Sequence, residues 1–226
     1  MKILSYGVGV NSTAILALVK LGRLKLGDFK IVFADPGAEK PETYCFLRFM
    51  CKQFDIAIVK KEPDLYSYCK ERNIIPTRMF RWCTDKWKIR PMRKWAKEQG
   101  FENYQFIIGF AKGEENRAKN PNVLYPLIEL GIDRDGCKNI ISEIGWTVPF
   151  KSGCFFCPFQ PKNDWLAMRE NASDLFQKAL QLEQSAIKRN SKMCFRGNQP
   201  LEIWMDEKQT RFSPFDEYQH CICSSQ

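Results

Sequence analysis

The chain has 226 residues, 44% of them apolar and 13% aromatic, enough for a packed core and too apolar for wholesale disorder. No run reaches the roughly 20 apolar residues of a membrane span, and the start, MKILSYGVGVNSTAILALVKLG, is broken by Asn11-Ser12-Thr13 without a convincing cleavage site, so it reads as folded chain in a cytoplasmic protein. The net charge of +9 suits an anionic partner, whether nucleotide, sulfated or phosphorylated metabolite, or nucleic acid, although a merely basic surface accounts for it equally well.

The first 110 residues alternate strand and helix patterns. KILSYG is a short apolar strand, and STAILALVKLG a helix ending at Gly22. FKIVFAD is a second strand, PETYCFLRFMCKQF a helix and DIAIVKK a third strand. PDLYSYCKERN and TDKWKIRPMRKWAKEQG are helical, with Thr84 as the expected N-cap of the latter, and YQFIIGF is a fourth strand. Strands separated by helices of this length indicate βαβ units, an open and mainly parallel sheet with helices on both faces. Beyond residue 125 the pattern changes. DRDGCKNIISEIG predicts a short helix capped by Asp135, and a long polar helix follows over residues 173–190. This divides the chain into an α/β domain, 1–125, and a cysteine-rich, mostly helical region, 126–226, packed on it.

The segment LSYGVGVNSTA joins the first strand to the first helix, the place where open parallel sheets bind ligands. Gly7 and Gly9 let the backbone approach an anion, and Asn11, Ser12 and Thr13 put donors at a helix N-terminus. It is neither G-x-x-x-x-G-K-[ST] nor G-x-G-x-x-G. An ordinary glycine turn with a Ser/Thr cap has the same letters.

Several segments together carry a family resemblance. GVGVNST resembles the pyrophosphate loop of the adenine-nucleotide α-hydrolase (PP-loop) superfamily. FADPGAEKPETY, RWCTDKWKIRP, IIGFAKGEENR and KSGCFFCPF follow in the order found in its phosphoadenosine-phosphosulfate reductase branch. The resemblance implies an adenine nucleotide, ATP or a sulfonucleotide, bound at Gly7, Gly9, Asn11, Ser12 and Thr13. Asp35 would accept from adenosine or hold a magnesium ion, or merely cap the next turn. Glu39 and Glu42 beside it are expected in solvent. Arg81 and Lys88 would clamp phosphate or sulfate, and Lys86 is expected on a solvated face. Glu114 and Arg117 complete the site unless they are only a surface ion pair. Val8 and Asn11 replace the glycine and aspartate of the stricter loop, and the E-C-G-L-H tail of the sulfonucleotide reductases is absent.

The chain has ten cysteines and one histidine, so any metal site must be thiolate-rich. Cys45, Cys51, Cys69 and Cys194 read as buried apolar residues. Cys83 and Cys137 stand at helix starts, which should lower their thiol pKa values. With Cys154 and Cys157 they give C-x53-C-x16-C-x2-C, followed by Pro158 and collared by Phe155, Phe156 and Phe159. Four thiolates suit a 4Fe-4S cluster or zinc equally on count, and a metal-free dithiol stays open. The resemblance favours the cluster. In the tail, Cys221 and Cys223 follow His220, and either is a candidate catalytic or sulfur-carrying thiol, with Cys223 also a reserve metal ligand; a frayed end is the plainer reading. Two reactions fit the resemblance: cleavage of ATP between its α and β phosphates followed by sulfur transfer, and thiol-dependent reduction of a sulfonucleotide. A zinc-stapled nucleotide- or nucleic-acid-binding module is the non-catalytic reading. A sulfur or electron donor protein is an expected partner, a membrane is not, and the oligomeric state is left open.

Overall fold

The computed structural model describes residues 1–79, 81–197 and 199–206. Contacts divide the chain into two interleaved units. The first comprises Met1–Asp35, Pro41–Lys60 and Lys88–Ser152; the second comprises Pro36–Lys40, Lys61–Trp87 and the described residues from Gly153 to Asp206. Residues 126–152 thus pack with the sheet, whereas the sequence reading grouped them with the C-terminal region.

The first unit is a five-stranded parallel sheet in the order β3-β2-β1-β4-β5. Its strands are β1 (Lys2–Ser5), β2 (Phe29–Asp35), β3 (Ile56–Lys60), β4 (Gln105–Ile107) and β5 (Val123–Leu124). Alternation along β1 and β2 sends side chains to two cores. Leu4, Ile31 and Phe33 join one with α1 (Val10–Lys20), α2 (Pro41–Cys51), α6 (Pro126–Glu129) and α7 (Arg134–Glu143). Ile3, Val32 and Ala34 join the other with Met92 and Ala96 of α5 (Arg90–Glu98). Each such burial contributes roughly 1.5–3 kcal/mol for a large aliphatic side chain. Helices on both faces allow near-continuous apolar strands, as FKIVFAD is.

The second unit has its own core, in which Trp87, Phe156, Trp165 and Phe195 are almost fully buried. Its helices are α3 (Leu65–Arg72), α4 (Trp82–Thr84), α8 (Lys162–Asn171), α9 (Ser173–Arg189) and α10 (Leu201–Asp206). Inside this core the Glu183 carboxylate accepts from the amides of Phe195 and Leu201, each at 2.7 Å, tying the 190–201 segment to α9. Burial raises the pKa of Glu183 despite those two bonds.

Three local expectations are corrected. Thr84 is no N-cap: the helical path opens at Trp82 and passes through a π-turn, Asp85–Ile89, into α5, so no fresh N-terminus exists there. Asp133, not Asp135, caps α7, accepting from the amide of Gly136 at 2.8 Å, while Asp135 pairs with Lys138 at 2.7 Å in solvent. Cys51 is exposed, because α2 ends there and the chain turns outward, while Cys45, Cys69 and Cys194 are buried as expected.

Candidate functional site

In the order β3-β2-β1-β4-β5 the strands stay parallel but the order of winding reverses between β1 and β4, and it is outside the carboxyl ends at such a switch point that open parallel sheets form a ligand crevice. The Gly7–Thr13 loop leaves β1 there and the 108–117 segment leaves β4. The two are fastened together. Asn11 donates through Nδ2 to Glu114 Oε2 at 3.0 Å, and the Ala111 amide donates to the same oxygen at 3.1 Å. Arg117 closes on Glu114 Oε1 and lies 4.2 Å over the Phe110 ring, which stacks on Tyr125. Glu114 and Arg117 are therefore a buttress of the crevice and more than an incidental surface pair. Asn11 Oδ1 is shut from solvent with no hydrogen-bond partner among the described residues.

Gly109, which sequence reading passed over, makes this approach feasible. A Cβ there would stand 2.9 Å from the Ser12 nitrogen, 3.1 Å from the Asn11 carbonyl carbon and 3.2 Å from the Ser12 Cα, all backbone atoms. Its one letter in IIGFAKGEENR was the available signal.

The loop is built to leave amides free. The N-cap of α1 is Gly9, which makes no side-chain cap bond, and no acid occupies the first turn. The first N–H groups of a helix have no intrahelical acceptor, and the helix dipole favours an anion beside them. Val10, Asn11 and Ser12 present these amides. Space at Gly7 is open, since a Cβ there would meet no atom within 4 Å, whereas at Gly9 the Ser152 hydroxyl would lie 3.1 Å away. Val8 between them takes φ 57° and is buried, a left-handed conformation that costs a β-branched residue about 1–3 kcal/mol.

The remaining expected residues divide. Ser12 donates back to the Gly9 carbonyl at 3.1 Å. Thr13 is turned inward: its hydroxyl meets that of Tyr6 at 3.1 Å and its amide bonds the Gly9 carbonyl, so it offers an anion neither donor. Burial raises the Tyr6 pKa, which keeps this phenol a neutral partner. Asp35, at the end of β2, is buried, accepts from the Tyr44 hydroxyl at 2.7 Å and has Lys60 Nζ at 3.7 Å. Lys88 lies in the π-turn within the first unit. Arg81 belongs to the second unit, where it lies 5.0 Å from the Phe159 ring centroid. Glu39 is buried, not solvated, because its backbone bridges that of Cys154. Lys86 is half-buried over Tyr68 and Trp82.

The cysteines expected to share a metal site fall in both units. Cys83, Cys154 and Cys157 belong to the second unit and Cys137 to the first. Among the described residues, no group of three or more His, Cys, Asp or Glu stands together so as to hold a metal ion. Cys137 is fully buried, and burial pushes its thiol up to about 11, opposite to the expected lowering. Its side chain belongs to the core shared with α1 and the sheet. Cys221, Cys223 and His220 lie outside the described residues. Among those described, no helix is long and apolar enough to cross a membrane.

Two uncharacterized proteins of Methanocaldococcus jannaschii are similar to this chain: one is 24% identical over 172 residues, 68% of this chain and 41% of its own length. The other is 30% identical over 113 residues, 49% of this chain and 22% of its own. The chain thus spans less than half the length of either relative. A crystal structure of phosphoadenylyl-sulfate reductase from Candida auris, a phosphate complex, aligns with a TM-score of 0.48 at 17% identity, covering 66% of this chain and 74% of that one. The phosphoadenosine phosphosulfate reductase domain model matches residues 2–125, a span that takes in the Gly7–Thr13 loop, Asp35 and the Glu114–Arg117 buttress. The chain belongs to the phosphoadenosine phosphosulfate reductase family.

Proposed function

We propose that the chain is a PP-loop enzyme that binds ATP in the crevice above β1 and β4 and cleaves it between the α and β phosphates to activate a substrate for sulfur transfer. The observation that carries this reading is the uncapped N-terminus of α1 at the sheet's reversal point, held to the β4 loop through Asn11 and Glu114. The amides of Val10, Asn11 and Ser12 bind the polyphosphate, and Asn11 Oδ1 accepts from a ligand hydroxyl or a bridging water. Asp35 accepts from the ribose or the adenine amine. Arg117 and Lys88 supply cationic charge that offsets what develops on the departing pyrophosphate. A substrate oxygen attacks the α phosphorus, the bond to the β phosphate breaks, pyrophosphate leaves and the substrate proton passes to solvent. A sulfur nucleophile, hydrosulfide from a donor protein or a persulfide that such a donor has loaded on Cys221 or Cys223, then displaces AMP; in the persulfide case the other cysteine attacks the resulting disulfide, freeing the thiolated substrate and leaving a Cys221–Cys223 disulfide.

A second reading is favoured by the family itself, whose name describes sulfonucleotide reduction. There a thiolate attacks the sulfur of the sulfonucleotide, the sulfur–oxygen bond breaks and the phosphoadenosine leaves. A second thiol then releases sulfite and closes a disulfide. Anaerobic incubation with ATP and, separately, with a sulfonucleotide distinguishes the two. Pyrophosphate from ATP supports the first reading, sulfite from the sulfonucleotide selects the second, and neither product with neither ligand bound refutes both.

A further inference from the structure

The second unit carries cations to which the proposed nucleotide binding assigns no role. Arg78 and Arg81 lie 5.6 and 5.0 Å from the ring centroid of Phe159, which is 39% exposed. Arg196 donates to the carbonyls of Pro158 and Gln160, the chain neighbours of Phe159, at 3.2 and 3.4 Å, and its guanidinium stacks 4.0 Å over Trp204. Burial, then the charge of Arg78, pull the pKa of Arg196 below its usual value, so these guanidiniums sense one another. None of the three has a carboxylate partner among the described residues. Three like charges gathered around one exposed ring repel each other unless an anion relieves them.

Beside them opens a cleft of about 520 Å³, lined by Ile75, Thr77, Met79, Arg81, Trp82 and Met193. Its walls are apolar and aromatic with one cation, and Met79 is 87% exposed at its mouth. The volume falls in the range of small-ligand sites. Along the same unit Arg72 lies 4.2 Å over Tyr68, and Lys86 lies over Tyr68 and Trp82 at 5.6 and 5.8 Å. Cations laid on aromatic faces offer phosphate contacts and planar stacking surfaces side by side, the combination that grips unpaired nucleotides. A single free anion would use the charge but not the cleft; a lipid surface would use the charge but not the aromatic rings set beside it.

We propose that this face binds single-stranded nucleic acid, with Arg78, Arg81 and Arg196 on successive phosphates around Phe159 and an unstacked base in the cleft beside Arg81 and Trp82. It is a second site, independent of the nucleotide loop. It gives the chain's charge of +9 a use that a mononucleotide does not require.

The test is fluorescence anisotropy with a labelled single-stranded oligonucleotide across a salt series, with ATP binding measured by calorimetry in parallel. Wild-type affinity should fall with salt at a log–log slope of about −2 or steeper, from three phosphates at roughly 0.7 each. The double variant Arg78→Gln/Arg196→Gln should bind at least about tenfold more weakly in low salt and flatten the slope by about 1.4, with ATP affinity unchanged. Arg78→Gln alone, at an exposed position that folding does not depend on, should flatten it by about 0.7. Lys25→Gln/Lys97→Gln, which removes two exposed charges from the first unit, should leave the slope alone. A duplex of the same sequence should bind more weakly than the single strand. The proposal is overturned if wild type binds no oligonucleotide, if the arginine variants keep the wild-type slope, if the lysine control matches them, or if duplex binds as well. Loss of ATP binding with intact oligonucleotide binding would instead count against the proposed function alone.

Discussion

Gly109→Ala is the most informative single change in the crevice. The added methyl would stand 2.9 Å from the Ser12 nitrogen and 3.1–3.2 Å from the Asn11 carbonyl carbon and the Ser12 Cα, closer than real Cβ atoms sit to backbone. None of these atoms ends a flexible side chain, so either the β4 loop or the start of α1 must move. Overpacking of this kind costs about 1–3 kcal/mol. For a chain of this length that is a Tm drop of roughly 2–12 °C. The movement also pulls Asn11 from Glu114, which misplaces the amides of Val10, Asn11 and Ser12. ATP affinity should therefore fall by at least about tenfold, near 1.4 kcal/mol. Gly7→Ala is the matched control. Its Cβ meets no atom within 4 Å and its φ needs no glycine, so stability should stay within about 0.5 kcal/mol. If phosphate occupies that open space, affinity alone should fall. Differential scanning fluorimetry with calorimetric ATP titration reads both quantities. A Gly109→Ala protein that melts and binds ATP like wild type would refute the argument for close approach.

Further outcomes follow from the remaining geometry. The folded-state pKa of Glu183 is raised, so between the ordinary carboxylate range and that raised value the native state holds the proton more tightly than the unfolded chain, and stability should fall as pH rises through that window. Glu183→Gln should remove this slope while losing about 1–3 kcal/mol, since one of the two buried amides then faces an NH₂ group; urea titrations at several pH values check both. Asp133→Ala should cost about 1 kcal/mol through loss of the α7 cap, and Asp135→Ala well under that, and a reversal of that order in thermal melts would return the cap to Asp135. Iodoacetamide at pH 8 should label exposed Cys51 in the native protein and spare Cys137 until the chain unfolds; early labelling of Cys137 by mass spectrometry would contradict its burial.

Particular elements show what a sequence of this kind discloses. FKIVFAD was legible as β2 because a strand covered on both faces is apolar throughout, and its ends coincide with the observed strand. β5 is only two residues long and leaves no period to read. Asp133 and Asp135 flank one arginine, and only the path of the chain decides which meets the Gly136 amide. α8 enters through Pro161 with no side-chain cap, so it carried no start signal in a segment dominated by its cysteines. At the crevice, the glycines and Asn11-Ser12 announced an anion loop. That Thr13 turns inward to Tyr6 depends on how the loop folds back on the strand end, and that Gly109 lets two loops touch depends on residues about 100 positions apart in the chain, which spacing does not encode. The four-cysteine spacing read as a metal set, but letters carry no distance, and its members belong to two units of the chain.

The central claim is that the amides at the start of α1 hold the phosphates of an adenine nucleotide. Diffraction from crystals grown with α,β-methylene ATP tests it directly, since the analogue keeps the polyphosphate and resists cleavage. The account predicts phosphate oxygens within hydrogen-bond distance of the N–H groups of Val10, Asn11 and Ser12, with the adenosine toward Asp35. A nucleotide seated elsewhere, or an empty crevice at saturating analogue, would contradict it.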